Sequence, residues 1–329
     1  MKYSFRRCST ERWRRPGFTL TEVLTGVVLL ALLGLILAAG HRWLLLLSER
    51  SSRWLLARDR GQRVIAFIEP RVLHCGLGLS ACRGEGALQR ALGQGAYNAP
   101  TISRWSGPNR EVRVYNDKPS WPTPAKEEDG VLRGTGFSVI YGRPSGLVVK
   151  TQRGGPLALA PGETAEFDVL AGDASGLGFR PGVFQDLRSW AALPLTGTPL
   201  HIVSAPGRRL SLRLAASASL PLDIPPVNEL ALLRCERFRA INGTFCFQGM
   251  EIDWYPPNFY PREEGVLALW IEWRRAGRTL DLWVLTTGGA AVFGPTARPA
   301  AWPQEAPWNE DFGQRELCVS RASWKLENL

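Results

Sequence analysis

The chain has 329 residues, and its polar start gives way abruptly to an apolar stretch. Phe18, Thr19, Leu20 and Thr21 are uncharged, Glu22 interrupts, and Val23 to Gly40 are eighteen residues without charge or proline. At 1.5 Å per residue those eighteen span roughly 27 Å, close to the hydrocarbon core of a bilayer, so the pattern predicts a transmembrane helix. The period then changes. Trp54, Ala57, Gly61, Val64, Ile65 and Ile68 recur at three- and four-residue spacing with charged residues between them. That spacing predicts an amphipathic continuation, with Pro70 as its stop. A continuous helix from Phe18 to Glu69 would be about 78 Å long. Two helices broken near Gly61 are the alternative.

Residues 71–130 are rich in Gly and Pro and predict a loop-rich connection, with a strand at Glu111–Tyr115 and a helical turn at Ala87–Leu92. From residue 131 short alternating runs appear. Three hairpins are predicted: Phe137–Tyr141 with Leu147–Thr151, His201–Ser204 with Leu210–Leu214, and Val266–Trp273 with Thr279–Leu285. In the third, Leu267, Leu269, Ile271 and Trp273 share one strand face, and Leu280, Leu282 and Val284 share one on the partner. The expected class is therefore α+β: a long N-terminal helix packed on a mostly antiparallel β head domain. The expected divisions are 18–40 for the membrane half of the helix, 41–70 for its amphipathic half, 71–130 for the connection and 131–298 for the head. Residues 299–329 form a Pro- and Trp-rich C-terminal tail without clear periodicity.

Composition agrees with strands and turns: 13 Trp, 24 Pro and 34 Gly. Forty Lys+Arg against 30 Asp+Glu give +10, which raises nucleic acid or anionic lipid as partners. The location of the charge narrows this. Residues 1–17 hold six cations against Glu11 alone, and residues 18–63 hold six Arg against Glu22, Glu49 and Asp59. Those segments account for +8, so the head is nearly neutral and no nucleic-acid partner is expected for it. Lys and Arg flank the span on both sides, so the positive-inside rule does not orient it.

No catalytic constellation is legible. His41, His74 and His201 lack metal-ligand spacing, and no G-x-S-x-G elbow or P-loop is present. No cofactor or metal is expected. The acidic cluster Asp117, Glu127, Glu128 and Asp129 lacks a calcium-loop pattern and reads as a solvated turn. The aromatic and basic residues of Trp270–Arg275 read as sheet.

Three readings of the N-terminus compete: a plain membrane anchor, a secretory signal cleaved after Ala38-Ala39-Gly40, and a span whose Glu22 is functional. A lone carboxylate near the start of a membrane span is costly unless it is paired. The string Arg14-Arg15-Pro16-Gly17-Phe18-Thr19-Leu20-Thr21-Glu22-Val23-Leu24 resembles the type IV prepilin signal. The resemblance implies a leader, residues 1–17, removed by a prepilin peptidase between Gly17 and Phe18. It implies N-methylation of Phe18 and places Glu22 fifth in the mature chain. The carboxylate of Glu22 would pair with the cationic amine of a neighbouring subunit, a burial that only pairing makes tolerable. The resemblance also orients the chain, with the leader in the cytoplasm and the body outside, in the cytoplasmic (inner) membrane.

The layout beyond residue 70 is similar to the J-type minor pseudopilins of type II secretion and to large minor pilins of type IV pili. Leu232-Leu233-Arg234 to Arg239, Trp254-Tyr255-Pro256-Pro257 and Val266 to Trp273 carry this looser likeness. K-type pseudopilins typically lack the Glu at mature position five, so Glu22 argues against that identity. A large head favours a minor subunit at initiation or the tip. The resemblance implies a non-enzymatic structural subunit whose partners are prepilin peptidase, other pilins or pseudopilins, the inner-membrane assembly platform and membrane lipid. The alternative is a membrane-anchored or secreted extracytoplasmic binding protein, an adhesin or glycan-binding module.

Outside the cytoplasm disulfides are expected. With Cys8 in the leader, the candidates are Cys75, Cys82, Cys235, Cys246 and Cys318. Cys75 and Cys82 would close a small loop after the helix. Cys235 and Cys246 bond only if their loop is long. A two-residue type I′ turn at Asn242-Gly243 would set Cys246 opposite Arg239 and Cys235 opposite Met250. The sulfurs would then be roughly 13 Å apart. In that case one of the two is left for Cys318.

Overall fold

A computed structural model describes residues 19–77, 111–113, 126–128, 130–152, 154–160, 162–174, 190–193, 198–214, 222–249, 260–274 and 276–326. The chain divides into two units, residues 1–49 and 50–329. One helix, α1 (Leu20–Leu73), supplies all the described structure of the first unit and one layer of the second. Pro70 lies inside it. A proline removes only its own N–H bond, and the turn continues, with the His74 amide bonded to the Pro70 carbonyl at 3.3 Å. The expected stop therefore comes three residues later. No break occurs at Gly61.

In the second unit sixteen strands are seen among the described residues. In chain order the first eight are β1 (Glu111–Arg113), β2 (Lys126–Glu128), β3 (Val131–Gly134), β4 (Gly136–Thr151), β5 (Leu157–Leu159), β6 (Thr164–Ala171), β7 (Trp190–Leu193) and β8 (Thr198–Ser204). The others are β9 (Arg209–Leu214), β10 (Leu222–Ile224), β11 (Val227–Ile241), β12 (Thr244–Gly249), β13 (Tyr260–Glu264), β14 (Val266–Arg274), β15 (Thr279–Ala290) and β16 (Arg315–Lys325). All pairings are antiparallel except β1 with β4. The class is α+β. β1 falls where a strand was expected in the connection, β2 also precedes residue 131, and the C-terminal segment, without clear periodicity, holds β16.

A closed barrel forms one half of the sheet structure. β4 pairs with β6, β6 with β9, β9 with β8, β8 with β7, β7 with β11, and β11 returns to β4. Its interior is apolar: Val149, Phe167, Leu200, Ile202, Leu210 and Leu212 are among the residues that fill it. Arg209 and Arg213 of β9 are exposed, while Ser211 between them is buried and bonded to Glu166 and Ser204. The predicted hairpin at His201–Leu214 is β8–β9.

The hairpin predicted around Gly142–Gly146 is absent. β4 runs straight through, because β11 continues opposite it: Leu233 pairs with Gly142, Ala231 with Pro144 and Leu230 with Leu147. Ser145 and Gly146 bulge out between those last two pairs. The Ser145 hydroxyl donates to the Leu230 carbonyl and accepts the Leu147 N–H at 3.1 Å, replacing the ladder bonds the bulge removes. Gly146, with φ +70°, supplies the left-handed residue.

The other half is a five-stranded sheet, β16-β15-β14-β3-β2. The third predicted hairpin is its centre, β14–β15. One face carries Leu269, Ile271, Trp273, Leu280, Leu282 and Val284, packed with Val64, Ile65, Ile68 and Val72 of α1. Leu267 does not share that face. A bulge between Val266 and Ala268 turns it to the opposite side. There Trp270, Trp283 and Leu285 are covered by Trp302 and Ala306 from the segment before β16. Glu127 and Glu128, read as part of a turn, lie in β2, while Asp117 and Asp129 fall outside the described residues. So does the helical turn expected at Ala87–Leu92.

The helix–sheet contact depends on missing side chains. A Cβ on Gly288 of β15 would sit 1.8 Å from the Arg53 carbonyl oxygen, and one on Gly61 would sit 2.2 Å from Ser320 Oγ. The Thr286 hydroxyl, fully buried between these glycines, donates to the Ala57 carbonyl at 2.7 Å. Backbone can approach this closely only where no side chain intervenes.

Gly288→Ala should lower unfolding free energy by about 1–3 kcal/mol, the usual range for overpacking a filled contact. Gly155→Ala, with nothing within 4 Å of the added atom, should change it by less than about 0.5 kcal/mol. Denaturant unfolding of the full chain in detergent checks both. Equal effects would show that the Arg53 approach is not restrictive.

Candidate functional site

The amino end of α1 is the first candidate. Thr19 donates its backbone N–H to Glu22 Oε2 at 2.9 Å and its hydroxyl to the same oxygen at 3.0 Å. The Glu22 N–H donates to Thr19 Oγ1 at 3.3 Å. This reciprocal arrangement is a capping box: each side chain satisfies a backbone donor that the first helical turn leaves without a partner. The T-x-x-E string that encodes it was legible in the sequence, yet Glu22 was read there only as a contact between subunits. Oε1 takes part in neither bond, so capping and an intermolecular pairing are compatible. Gly17 and Phe18 lie outside the described residues.

Behind the cap the helix is apolar on every side. Leu30 and Leu37 are 70% and 69% exposed, and none of the most apolar eighteen-residue window is buried. By length and composition this helix can cross a membrane. Exposure of large apolar residues continues through Trp43, Leu44 and Leu45 to Trp54, Leu55 and Leu56. Trp54, expected on the head-facing stripe, is outside it. Its ring lies 5.8 Å from the Arg58 guanidinium, and Val72 completes the buried stripe instead.

The second half of α1 is tied to the head by arginines that the sequence showed only as charge. Arg50 pairs with Glu316 at 3.5 Å. Arg53 donates to the Ala290 carbonyl, and Arg60 to the Thr287 carbonyl at 2.6 Å. Arg63 reaches Glu263 at 3.4 Å, and Arg71 reaches Glu236 at 2.8 Å. Glu316 is almost fully buried and also accepts the Val292 N–H at 3.1 Å, so its charge is held at both oxygens. Arg71 lies 3.9 Å from the Phe67 ring. The Tyr141 phenol stays protonated far above its ordinary range, through burial first and the neighbouring Glu236 charge second. These contacts are structural.

The cysteines do not form a framework among the described residues. Asn242 and Gly243 have positive φ, and Arg239 stands opposite Cys246. This is the short-turn register. The positions Cys235 and Cys246 are therefore out of step by four along the strands. Cys246 and Cys318 are buried free thiols, and burial raises the pKa of both, which disfavours the reactive thiolate. Cys75 is buried beside α1 and Cys82 falls outside the described residues. Among the described residues no three His, Cys, Asp or Glu gather as a metal site. Trp270 and Trp273 are buried on opposite faces of the sheet, as the sheet reading required.

No protein-family model, curated protein or solved structure matches the chain.

His201, on β8, shows what burial does to a titratable group here. Burial first, and the Arg213 charge second, lower its pKa from 6.5 to about 4. The unfolded chain therefore binds a proton between these values that the folded chain does not. Stability should fall as pH drops from about 6.5 to about 4, by up to about 3 kcal/mol. Unfolding curves across that window should be flatter for His201→Gln than for the natural chain. Identical slopes would remove His201 as the cause.

Proposed function

We propose that this chain is a non-enzymatic structural subunit of a type IV pilus or type II secretion pseudopilus, a minor component at initiation or the tip. It is made as a single-pass precursor in the cytoplasmic membrane, with the head outside. Prepilin peptidase removes residues 1–17, and the helix then joins other pilins or pseudopilins on the inner-membrane assembly platform.

The observation that carries this reading is the Gly17-Phe18…Glu22 register at the mouth of an exposed apolar helix that continues, unbroken, as the spine of the head. A second observation supports it. Exposed large apolar residues run from Leu20 to Leu56, roughly 55 Å of helix at 1.5 Å per residue, against about 30 Å of hydrocarbon core. Lipid covers only part of that length. Trp54, Leu55 and Leu56, interleaved with Arg50, Arg53 and Arg58, suit the flank of another helix better than water. A plain anchor or a cleaved signal needs neither the excess length nor Glu22.

Intact-mass and N-terminal analysis of the processed protein should show a start at N-methyl-Phe18. A start at His41 would make it an ordinary secreted protein, and an intact leader a plain anchor. Glu22→Ala should leave cleavage unchanged while incorporation into filaments drops by roughly tenfold or more. Normal incorporation would refute the pairing role.

A further inference from the structure

The geometry points to a saccharide-binding site on the head, in a cavity of about 530 Å³ between the β11–β12 turn and the 3-10 helix Glu310–Gln314 that precedes β16. It stands independently of the filament reading. The volume falls within the range of about 300–1,000 Å³ typical of small-molecule sites.

The lining holds Glu264, Asp311, Arg315, Asn242 and Asn309, with Leu267 and Phe312 as apolar surface. The irregular backbone explains why these residues meet. The left-handed pair Asn242-Gly243 turns one edge, Gly265 turns the next, and the bulge before Ala268 brings Leu267 to this side. Phe312 is held edge-on by Trp308, ring centres 5.7 Å apart. One wall of the cavity is therefore fixed.

The polar groups are poised but not spent on each other. The nearest comparison is Glu263, the neighbour of Glu264, which is half-buried and contacts Arg60 and Arg63, and the buried Asp281 contacts Arg274 and Arg321. Glu264, Asp311 and Arg315 line one cavity yet form no ion pair among the described residues. The side chain of Asn242 likewise has no hydrogen bond there, whereas Asn309 uses its oxygen to cap Asp311 at 3.1 Å.

The mixture of groups selects the ligand class. Two carboxylates against one guanidinium disfavour an anion, and Arg315 disfavours a cation or a metal ion. The polar rim disfavours a purely apolar ligand. A neutral molecule carrying both donors and acceptors satisfies the carboxylates, the carboxamides and the arginine together. Carboxylates and carboxamides bridge neighbouring hydroxyls, and Phe312 and Leu267 offer surface to the C–H face of a sugar ring. The class is a neutral mono- or disaccharide unit.

The test uses the full chain in a zwitterionic detergent, so that no sugar headgroup competes. A panel of neutral immobilised glycans, with lysine-rich peptides as the cationic comparison, is followed by calorimetric titration of any saccharide retained. Expected are retention of at least one neutral saccharide and a tenfold or greater loss of affinity in Asp311→Ala and Glu264→Gln, with the melting temperature unchanged. An equal loss in Phe312→Leu would support the ring contact. No glycan retained, affinity unchanged in both carboxylate variants, or retention of the peptides alone would overturn the proposal.

Discussion

The structure of the head depends on the contact between the second half of α1 and the strand β15. Ala57, Gly61, Val64, Ile65, Ile68 and Val72 form the buried stripe. At its start the backbones approach so closely that a Cβ on Gly288 would meet the Arg53 backbone, while one on Gly61 would meet the Ser320 side chain of β16. Dispersion and apolar burial supply most of the stabilisation there, because each aliphatic side chain removed from water contributes on the order of 1.5–3 kcal/mol. The arginines contribute less individually, since Arg50 and Arg63 are half exposed and such pairs are worth about 0–1 kcal/mol. Their role is to hold register along the helix: bonds from Arg53 and Arg60 to strand carbonyls set where each turn sits.

Two long strands connect the modules of the head. β4 and β11 are 16 and 15 residues long, and each serves two structures. One end of the pair closes the barrel, and the other lies over α1 with Phe137 and Phe238, whose rings are 5.0 Å apart. The bulge at Ser145–Gly146 falls within this shared pair, where the strands leave the barrel. A bulge bends a strand and increases its twist, which is what passing from a closed to an open sheet demands. The cavity at Asn242 lies beyond the far end of the same strand β11.

Charge is distributed in the same economical way. Where burial is nearly complete, as at Asp281 and Glu316, each carboxylate has at least one arginine. His201 is instead kept neutral. The carboxylates at the cavity are exposed and unpaired among the described residues, so their solvation is undisturbed until something else enters. Among the described residues, large exposed apolar side chains lie mainly on α1.

The sequence by itself determined the long helix, its change from all-round apolar to one-sided, and two of three hairpins, because these rest on local period and turn residues. For Cys235 and Cys246 it left a short turn and a longer loop open, and the structure chose the two-residue turn that sets Cys246 opposite Arg239. The T-x-x-E cap was equally local and could have been read. The barrel, the passage of β4 through Pro144, the opposite facing of Leu267 and the incorporation of β16 were decided only by tertiary structure. Each depends on which distant strand lies alongside, and hydrophobic period does not encode the partner. The same holds for the cavity: Asn242, Glu264 and Asp311 are far apart in the chain, and only the closure of three turns around one space brings them together.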